Sequence, residues 1–211
     1  MADKKFVVTL GRTCGRGASI IGKMLADEFL IDFYDKNILR LASDDSGISE
    51  VLFAQADETT KKSLLYSVSQ KVYNGETIPP ESPDYTKNGN LFAFQAKVLK
   101  ELAERESFVI IGRAADHVLK DYPNVLSIFI YAPLEKCIRT EMDRLSLTRK
   151  EAEKRIAEQD KYRRAYYKYN TGKDWESPYN YDLCLNTGEL SYEQCVKVVV
   201  EYLRVKFGDV L

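Results

Sequence analysis

The sequence predicts an α/β fold in which a parallel sheet is covered by helices on both faces. Two observations predict it: short apolar segments rich in β-branched and aromatic residues recur along the chain, and segments with helical periodicity fill the intervals between them. A strand, a helix and a second strand in succession usually form a parallel pair. The chain has 211 residues, of which 45% are apolar, and we therefore expect one domain over residues 1–211.

The predicted strands are short and apolar, as expected of strands that are buried on both faces. They lie at 6–10, 108–111 and 125–131, with a weaker signal at 181–185 and a short second strand just before Asp35. The predicted helices carry apolar residues three and four positions apart. Their apolar stripes run over 20–29, 91–102 and 196–205.

Two polar stretches interrupt this alternation. Residues 73–90 contain three prolines, at positions 79, 80 and 83, and few apolar side chains, which is typical of a surface flap. Residues 144–180 are helical at first, then aromatic and basic, and end in a loop rich in Gly, Ser, Pro and Asn. We expect both stretches to act as movable lids over a site at the edge of the sheet.

The composition argues against several classes of function. The 31 basic and 32 acidic side chains nearly cancel, so we do not expect a nucleic-acid partner. The four cysteines form no CxxC pair and there is one His, so structural zinc is not expected. The chain shows no charged leader and no apolar run of about 20 residues, and we expect no membrane partner and a reducing, cytoplasmic setting.

The stretch KFVVTLGRTCGRGASIIGKMLADEF, residues 5–29, predicts a strand, a glycine-rich turn and the N-terminus of a helix. Such a turn binds anions, because the first backbone N–H groups of the helix have no partner within it. Gly15 and Gly17 would let the backbone approach a phosphate oxygen closely. A glycine turn that serves only tight packing of the strand against the helix is the alternative interpretation.

Three phosphate-loop patterns can be compared with this turn. The pattern GxxxxGK fits Gly17, Gly22 and Lys23 in letters only, because the last two fall inside the predicted helix. The dinucleotide pattern GxGxxG begins at Gly15 and Gly17 but has Ile20 in its third position. The third pattern is the GxxGxGKGT loop of nucleoside monophosphate kinases, and it places alanine 18 at the lysine and Ile20 at the threonine.

Five stretches in order carry a more specific resemblance: GRTCGRGASIIG (11–22), FYDKNIL (33–39), IIGRAAD (110–116), DKYRRAYY (160–167) and YDLCLNT (181–187). With these stretches the chain resembles, over nearly its whole length, the cytidylate kinase-like family of P-loop proteins. Members of that family often carry a glycine loop with an early arginine and no lysine. The resemblance implies a P-loop NTPase-like fold, with ATP and Mg²⁺ at the glycine loop and a monophosphate acceptor under the flap.

The resemblance also implies site residues, which we group by role. The cofactor-binding residues surround the glycine loop, with one arginine further along the chain: Gly11, Thr13, Gly15, Arg16, Gly17, Ala18, Ser19 and Arg139. The catalytic set consists of arginines around the transferring phosphoryl group and one carboxylate that orients them: Arg12, Arg113, Arg155, Asp160, Arg163 and Arg164. The acceptor is implied to contact Asp35, Asn37 and Arg113.

The chemistry of phosphoryl transfer supports arginine in these roles. The transition state spreads negative charge over oxygens that must be surrounded by positive charge, and the planar guanidinium group can bind two of them at once. Arg12 and Arg16 flank the loop and could replace the missing lysine. Because the usual threonine is absent, Mg²⁺ would be held by the nucleotide phosphates, by water and by Ser19 or Thr13.

Several of these residues also have a purely structural interpretation. Arg113 could tie down the end of a helix, and Asp35 could cap the helix that follows it. Arg139 could form a surface pair with Glu135, four residues earlier. His117 is expected to be a half-buried helix residue and not a catalytic base.

Two functions of different classes remain open. The first is ATP-dependent phosphoryl transfer to a nucleoside monophosphate, cytidylate-like, or to a similar small acceptor. The second is a nucleotide-binding protein that has lost catalysis and acts as a sensor or partner-binding module. The second is motivated by Ala18, Ile20 and Ile111, which stand where the related kinases carry lysine, threonine and aspartate. An α/β domain that binds some other anion is a third, less specific possibility.

Overall fold

The computed structural model describes residues 5–15, 17–55 and 76–208. Within them, five strands form one sheet: β1 (Val7–Arg12), β2 (Asp32–Tyr34), β3 (Phe108–Ile111), β4 (Val125–Tyr131) and β5 (Leu183–Asn186). Their order across the sheet is β2-β3-β1-β4-β5, and every pairing is parallel. The predicted α/β fold with a parallel sheet is confirmed.

Helices connect the strands and cover both faces of the sheet. They are α1 (Ala18–Phe29), α2 (Ile38–Ser46), α3 (Asn88–Arg105), α4 (Ala115–Val118), α5 (Leu134–Leu145), α6 (Arg149–Thr171) and α7 (Tyr192–Phe207). Residues 50–55 are also helical, and Pro178–Asn180 form a turn of 3-10 helix. None of the described helices is both long enough and apolar enough to cross a membrane.

The alternation of side chains along β1 explains why the strands are apolar at every position. Val7 belongs to a buried cluster formed with Phe108 and with residues of α2 and α3. Val8, on the opposite face, belongs to a second cluster formed with residues of α1 and α7. Because successive side chains of a strand point to opposite faces, burial of both faces requires an uninterrupted apolar run.

β1 extends further than its apolar run predicts. The predicted strand ends at residue 10, whereas the structure continues it through Gly11 and Arg12, which pair with Phe129 and Ile130 of β4. Pairing with a longer neighbouring strand satisfies the backbone groups of these two residues. Arg12 therefore lies on the last position of the central strand, at the carboxyl edge of the sheet.

The predicted flap at 73–90 is folded against α3 in the part that the structure describes. Residues 73–75 lie outside the described residues, and α3 begins at Asn88, inside the predicted flap. The side chain of Asn90 is buried; it accepts a hydrogen bond from the Ile78 N–H at 2.7 Å and donates to the carbonyl oxygens of Ile78 (3.2 Å) and Tyr85 (2.7 Å). These bonds hold residues 78–85 against the start of α3.

The 144–180 stretch is mostly one long helix. α5 ends at Leu145 and is followed by its C-cap residue Ser146, which has a positive φ of 53°. α6 begins after Thr148, whose side chain forms a capping box with Glu151. α6 then runs for 23 residues to Thr171 and is followed by its C-cap residue Gly172, where φ is 71°. The aromatic and basic part, expected only after an initial helix, continues that helix without a break.

Candidate active site

A cavity of about 730 Å³ lies at the carboxyl edge of the sheet, where ligands bind in open α/β folds. The ends of β1 and β3, the start of α1 and the facing sides of α5 and α6 form its walls. Its described lining includes six basic side chains: Arg12, Lys36, Arg113, Arg144, Arg155 and Arg163. It includes three acidic ones: Asp35, Asp116 and Glu141. This excess of positive charge suits an anionic ligand.

The glycine loop lies at one side of the cavity. Gly15 and Gly17 have positive φ angles of 75° and 68°, which favour glycine, and Gly17 is the N-cap residue of α1. The N–H groups of Ala18 and Ser19 belong to the first turn, where a helix supplies no acceptor. Lys23 is exposed on the helix body, so the letter match to GxxxxGK has no counterpart in the structure.

Most of the predicted cofactor-binding residues line the cavity: Gly11, Thr13, Gly15, Gly17, Ala18 and Ser19. Arg16 lies outside the described residues. Arg139 is not among the described lining residues. It is a side chain of α5 whose Nε donates to the carbonyl oxygen of Glu135 at 3.4 Å, in an exposed contact.

A tight turn at the end of β3 forms the opposite wall. Gly112, Arg113 and Ala114 have φ angles of 76°, 60° and 50°, so three consecutive residues are left-handed and two of them are not glycine. Such residues are strained by roughly 1–3 kcal/mol each and often occur at functional sites. We call residues 112–114 the GR turn.

Gly112 makes room for the side chain of Arg12. A methyl group added at Gly112 would lie 2.3 Å from the Arg12 Nη1 atom, so the guanidinium group lies directly against the GR turn. Burial, with help from Arg163 and Arg113, lowers the pKa of Arg12 to about 9, against the opposing effects of Asp35 and Asp160. The group is still a cation at neutral pH. An anion bound among these three guanidinium groups would reduce their mutual repulsion.

Asp160 connects α6 to the glycine loop. Its Oδ1 atom accepts a hydrogen bond from the backbone N–H of Cys14 at 2.7 Å and one from Arg163 Nη1 at 3.1 Å. Asp160 therefore holds the Arg163 side chain in place, and the role in phosphoryl transfer that the resemblance implies for this pair stays a prediction. The same contact fixes α6 relative to the loop.

Glu141 and Arg144 are site residues that the sequence analysis missed. Glu141 is 1% exposed, and its carboxylate accepts from Arg144 Nη2 at 2.9 Å and from Arg155 Nε at 2.9 Å. The sequence did contain a signal for Glu141, because this residue follows Cys137 and Ile138 on the buried face of α5. A charged residue in an apolar stripe requires a partner inside the protein.

Asp116 was also missed, although it ends the IIGRAAD stretch. It is 9% exposed, lines the cavity, and accepts a hydrogen bond from the Tyr167 hydroxyl at 2.5 Å. Burial raises the pKa of Asp116 to about 6. The Tyr181 hydroxyl donates to the carbonyl oxygen of Trp175 at 2.8 Å beside it, so an acid and several aromatic rings share this part of the wall.

Two other predicted residues, Arg164 and Asn37, are absent from the described lining of the cavity. Arg164 pairs with Glu176 at 2.7 Å in an exposed contact and is absent from the described lining. Asn37, not Asp35, occupies the N-cap position of α2, and its side chain accepts from the Asp35 N–H at 2.7 Å. Asp35 lines the cavity, and because Asn37 is the N-cap residue, the alternative prediction that Asp35 caps this helix is wrong. His117 is half-buried, as expected, and is not among the described lining residues.

A glycine loop after the central strand of a parallel sheet, facing an arginine-lined cavity, defines a P-loop kinase-fold protein. Solved structures of similar fold agree. An uncharacterized protein from Eubacterium ventriosum has a TM-score of 0.69 at 23% identity, covering 94% of this chain and 98% of that one. A shikimate kinase from Bacteroides thetaiotaomicron has a TM-score of 0.53 at 15% identity, with coverage of 94% and 98%. A sugar kinase from Janibacter has a TM-score of 0.51 at 16% identity, with coverage of 98% for both chains.

The sequence model of the cytidylate kinase-like family matches residues 7–189, and the chain belongs to that family. The resemblance inferred from the five stretches is thereby confirmed. A curated relative, the uronate isomerase of Corynebacterium glutamicum, is 36% identical over 103 residues. That match covers 47% of this chain, which spans 19% of the length of the isomerase.

Proposed function

We propose that this protein catalyses ATP-dependent phosphoryl transfer to a small acceptor, either a nucleoside monophosphate of the cytidylate type or a similar molecule. The observation that carries the proposal is the convergence of three elements on one cavity: the glycine loop, the GR turn and the lid arginine Arg163. A donor phosphate on the glycine loop and an acceptor at the GR turn would face each other. Arg163 can then approach the phosphoryl group that is transferred.

The side chains around this position fit the charge of the reaction. Backbone N–H groups at the start of α1 would hold the donor phosphates. Arg12, Arg113 and Arg163 would surround the transferring phosphoryl group, where the developing negative charge is spread over its oxygens. Asp35 and Asp116 lie in the same cavity and could accept hydrogen bonds from the acceptor.

The described residues constrain how Mg²⁺ would be held. They include no group of three or more His, Cys, Asp or Glu side chains suited to a metal ion. Mg²⁺ usually keeps several waters and binds through substrate phosphates together with one or two protein ligands. We therefore propose that the metal arrives with ATP and that the Ser19 or Thr13 hydroxyl is one of its protein ligands.

The similar proteins suggest which acceptors to test. Two fold neighbours are named for shikimate and for a sugar, and the curated relative is named for a uronate. These names are not evidence for the acceptor of this chain, but all three describe hydroxylated molecules that are small enough for a cavity of about 730 Å³. A useful panel combines nucleoside monophosphates with shikimate, neutral sugars and uronates.

The test measures ADP release from magnesium-ATP with each acceptor. We expect turnover with at least one acceptor and a loss of about 10³-fold or more in Arg113→Ala, because an arginine that stabilises the transferring group contributes on that order. Arg204→Ala is the matched control: this arginine is exposed on α7 and pairs with Glu201. If ATP binds in calorimetry while no acceptor is phosphorylated, the proposal is wrong.

A catalytically impaired nucleotide-binding protein is the second candidate, and two observations favour it. Ala18, at the position of the kinase lysine, is 4% exposed and has no functional group. Ile20, at the position of the threonine, is 50% exposed beside the loop. For such a protein the same assay would show ATP binding without turnover, and Arg113→Ala would change binding alone.

A further inference from the structure

Tyr192, a residue that the sequence analysis did not select, lies against the glycine loop. It is the first residue of α7, and the N-cap Ser191 forms a capping box with Gln194. In that box the Ser191 N–H donates to Gln194 Oε1 at 2.8 Å, and the Gln194 N–H donates to Ser191 Oγ at 3.2 Å. The backbone that carries the tyrosine is therefore fixed at the end of the loop that follows β5.

The contact between Tyr192 and the loop is direct. A methyl group added at Gly17 would lie 2.2 Å from the Tyr192 Cζ atom and 2.5 Å from its Oη atom. The half-buried ring lines the same cavity as the loop. Its hydroxyl makes no hydrogen bond within the described residues. A polar atom thus lies beside the phosphate-binding turn without a protein partner from that part of the chain.

Two other polar groups near the loop are engaged elsewhere. The guanidinium group of Arg12 lies against Gly112, on the opposite wall. The Cys14 N–H donates to Asp160. Ala18, at the kinase lysine position, offers no side-chain donor. A phosphate at this loop would meet backbone N–H groups and the hydroxyls of Thr13 and Ser19, which also line the cavity, but no cationic side chain from the described loop residues 13–15 and 17–19.

We propose that the Tyr192 hydroxyl donates a hydrogen bond to the phosphate chain of the donor nucleotide at the glycine loop, and so supplies one contact that lysine makes in related kinases. This inference rests on the proposed function. A phenol adds no positive charge, so it strengthens binding of the phosphates without neutralising them. Charge neutralisation is then left to the arginines on the other side of the cavity.

Calorimetry on the full chain tests the proposed role of the Tyr192 hydroxyl, with magnesium-ATP, tripolyphosphate and adenosine as ligands. Tyr192→Phe removes one oxygen and keeps the ring. We expect it to weaken ATP and tripolyphosphate binding by about 10-fold or more, since a hydrogen bond to a charged group contributes roughly that factor. Adenosine binding should not change. Tyr202→Phe is the control on the same helix, because its hydroxyl donates at 3.4 Å to the Asp182 carbonyl oxygen, away from the cavity.

The possible outcomes separate this inference from the proposed function. If Tyr192→Phe binds ATP and tripolyphosphate like the wild type, the hydroxyl has no such role, even where turnover is normal. If it binds both more weakly while the wild type phosphorylates no acceptor, the inference stands and the phosphotransferase proposal fails. A selective loss of adenosine binding in Tyr192→Leu, with no effect of Tyr192→Phe, would overturn the inference in favour of stacking on the base. Failure of the wild type to bind ATP or tripolyphosphate would also overturn it.

Discussion

The close approach of Arg12 to Gly112 gives a quantitative prediction about the GR turn. In Gly112→Ala, the new methyl group would lie 2.3 Å from the Arg12 Nη1 atom, whereas non-bonded heavy atoms prefer a separation of about 3.5–4.0 Å. The guanidinium group must therefore move by about 1 Å or more. The substitution also forces alanine to adopt a φ of 76°.

The backbone strain and the steric contact each contribute to the loss of stability, and their contributions can be measured separately. A left-handed backbone costs a non-glycine residue about 1–2 kcal/mol, and overpacking costs about 1–3 kcal/mol more. We expect Gly112→Ala to lower the free energy of unfolding by about 2–5 kcal/mol. A displacement of about 1 Å in a group that positions substrate can reduce turnover by about 10²-fold, and we expect a loss of that size in kcat/KM.

Urea unfolding and the ADP-release assay measure the two effects, and Gly47→Ala is the matched control. Gly47 has a φ of 72° but nothing within 4 Å of the added methyl group, so it reports the backbone cost alone. In an Arg12→Ala background the contact is absent, and Gly112→Ala should then cost no more stability than Gly47→Ala. If the two glycine variants are equally destabilised in the wild-type background, the close approach has no energetic weight and the reasoning is refuted.

Two further predictions concern buried charges in the same cavity. Burial raises the pKa of Asp116 from 3.8 to about 6, so the folded state favours the protonated acid. The free energy of unfolding should therefore fall as the pH rises from about 4 to about 6. At neutral pH the loss should be at most about 3 kcal/mol. Asp116→Asn should remove this pH dependence in urea unfolding, whereas the exposed Asp143→Asn should keep it; an unchanged profile in Asp116→Asn would contradict the assignment. Arg144→Ala or Arg155→Ala alone should be tolerated, because the other arginine still pairs with Glu141, but the double variant should lose about 3–5 kcal/mol, more than the sum of the single losses. Additive losses in thermal or urea unfolding would show that the two arginines do not share the carboxylate energetically.

Much of the fold could be predicted because its signals are local. An apolar run such as 125–131 is explained by burial of both faces of β4, and the structure has that strand at the predicted residues. The glycine loop could be located because Gly15 and Gly17 stand between a strand signal and a helix signal. The end of β1 could not be predicted, since Gly11 and Arg12 become strand residues only by pairing with β4.

The candidate site was less predictable, because its members come from distant parts of the chain. Nothing local to Tyr192 indicates that its ring lies on Gly17. The partnership of Glu141 with Arg155 depends on how α5 and α6 pack against each other. The roles assigned to individual residues remain predictions that the proposed experiments can test.

The sequence by itself determined the order of strands and helices, the glycine turn and the family, because each depends on residue type and on periodicity along a short stretch. The tertiary structure alone decided which side chains face the cavity. Arg163 and Arg164 show the reason, because the side chains of neighbouring residues on a helix point about 100° apart. The packing of α6 decides that Arg163 bonds to Asp160, whereas Arg164 pairs with Glu176 on the exposed surface. Contacts between distant segments of the chain decide which face of a helix points into the cavity. The local sequence of the helix does not specify these contacts.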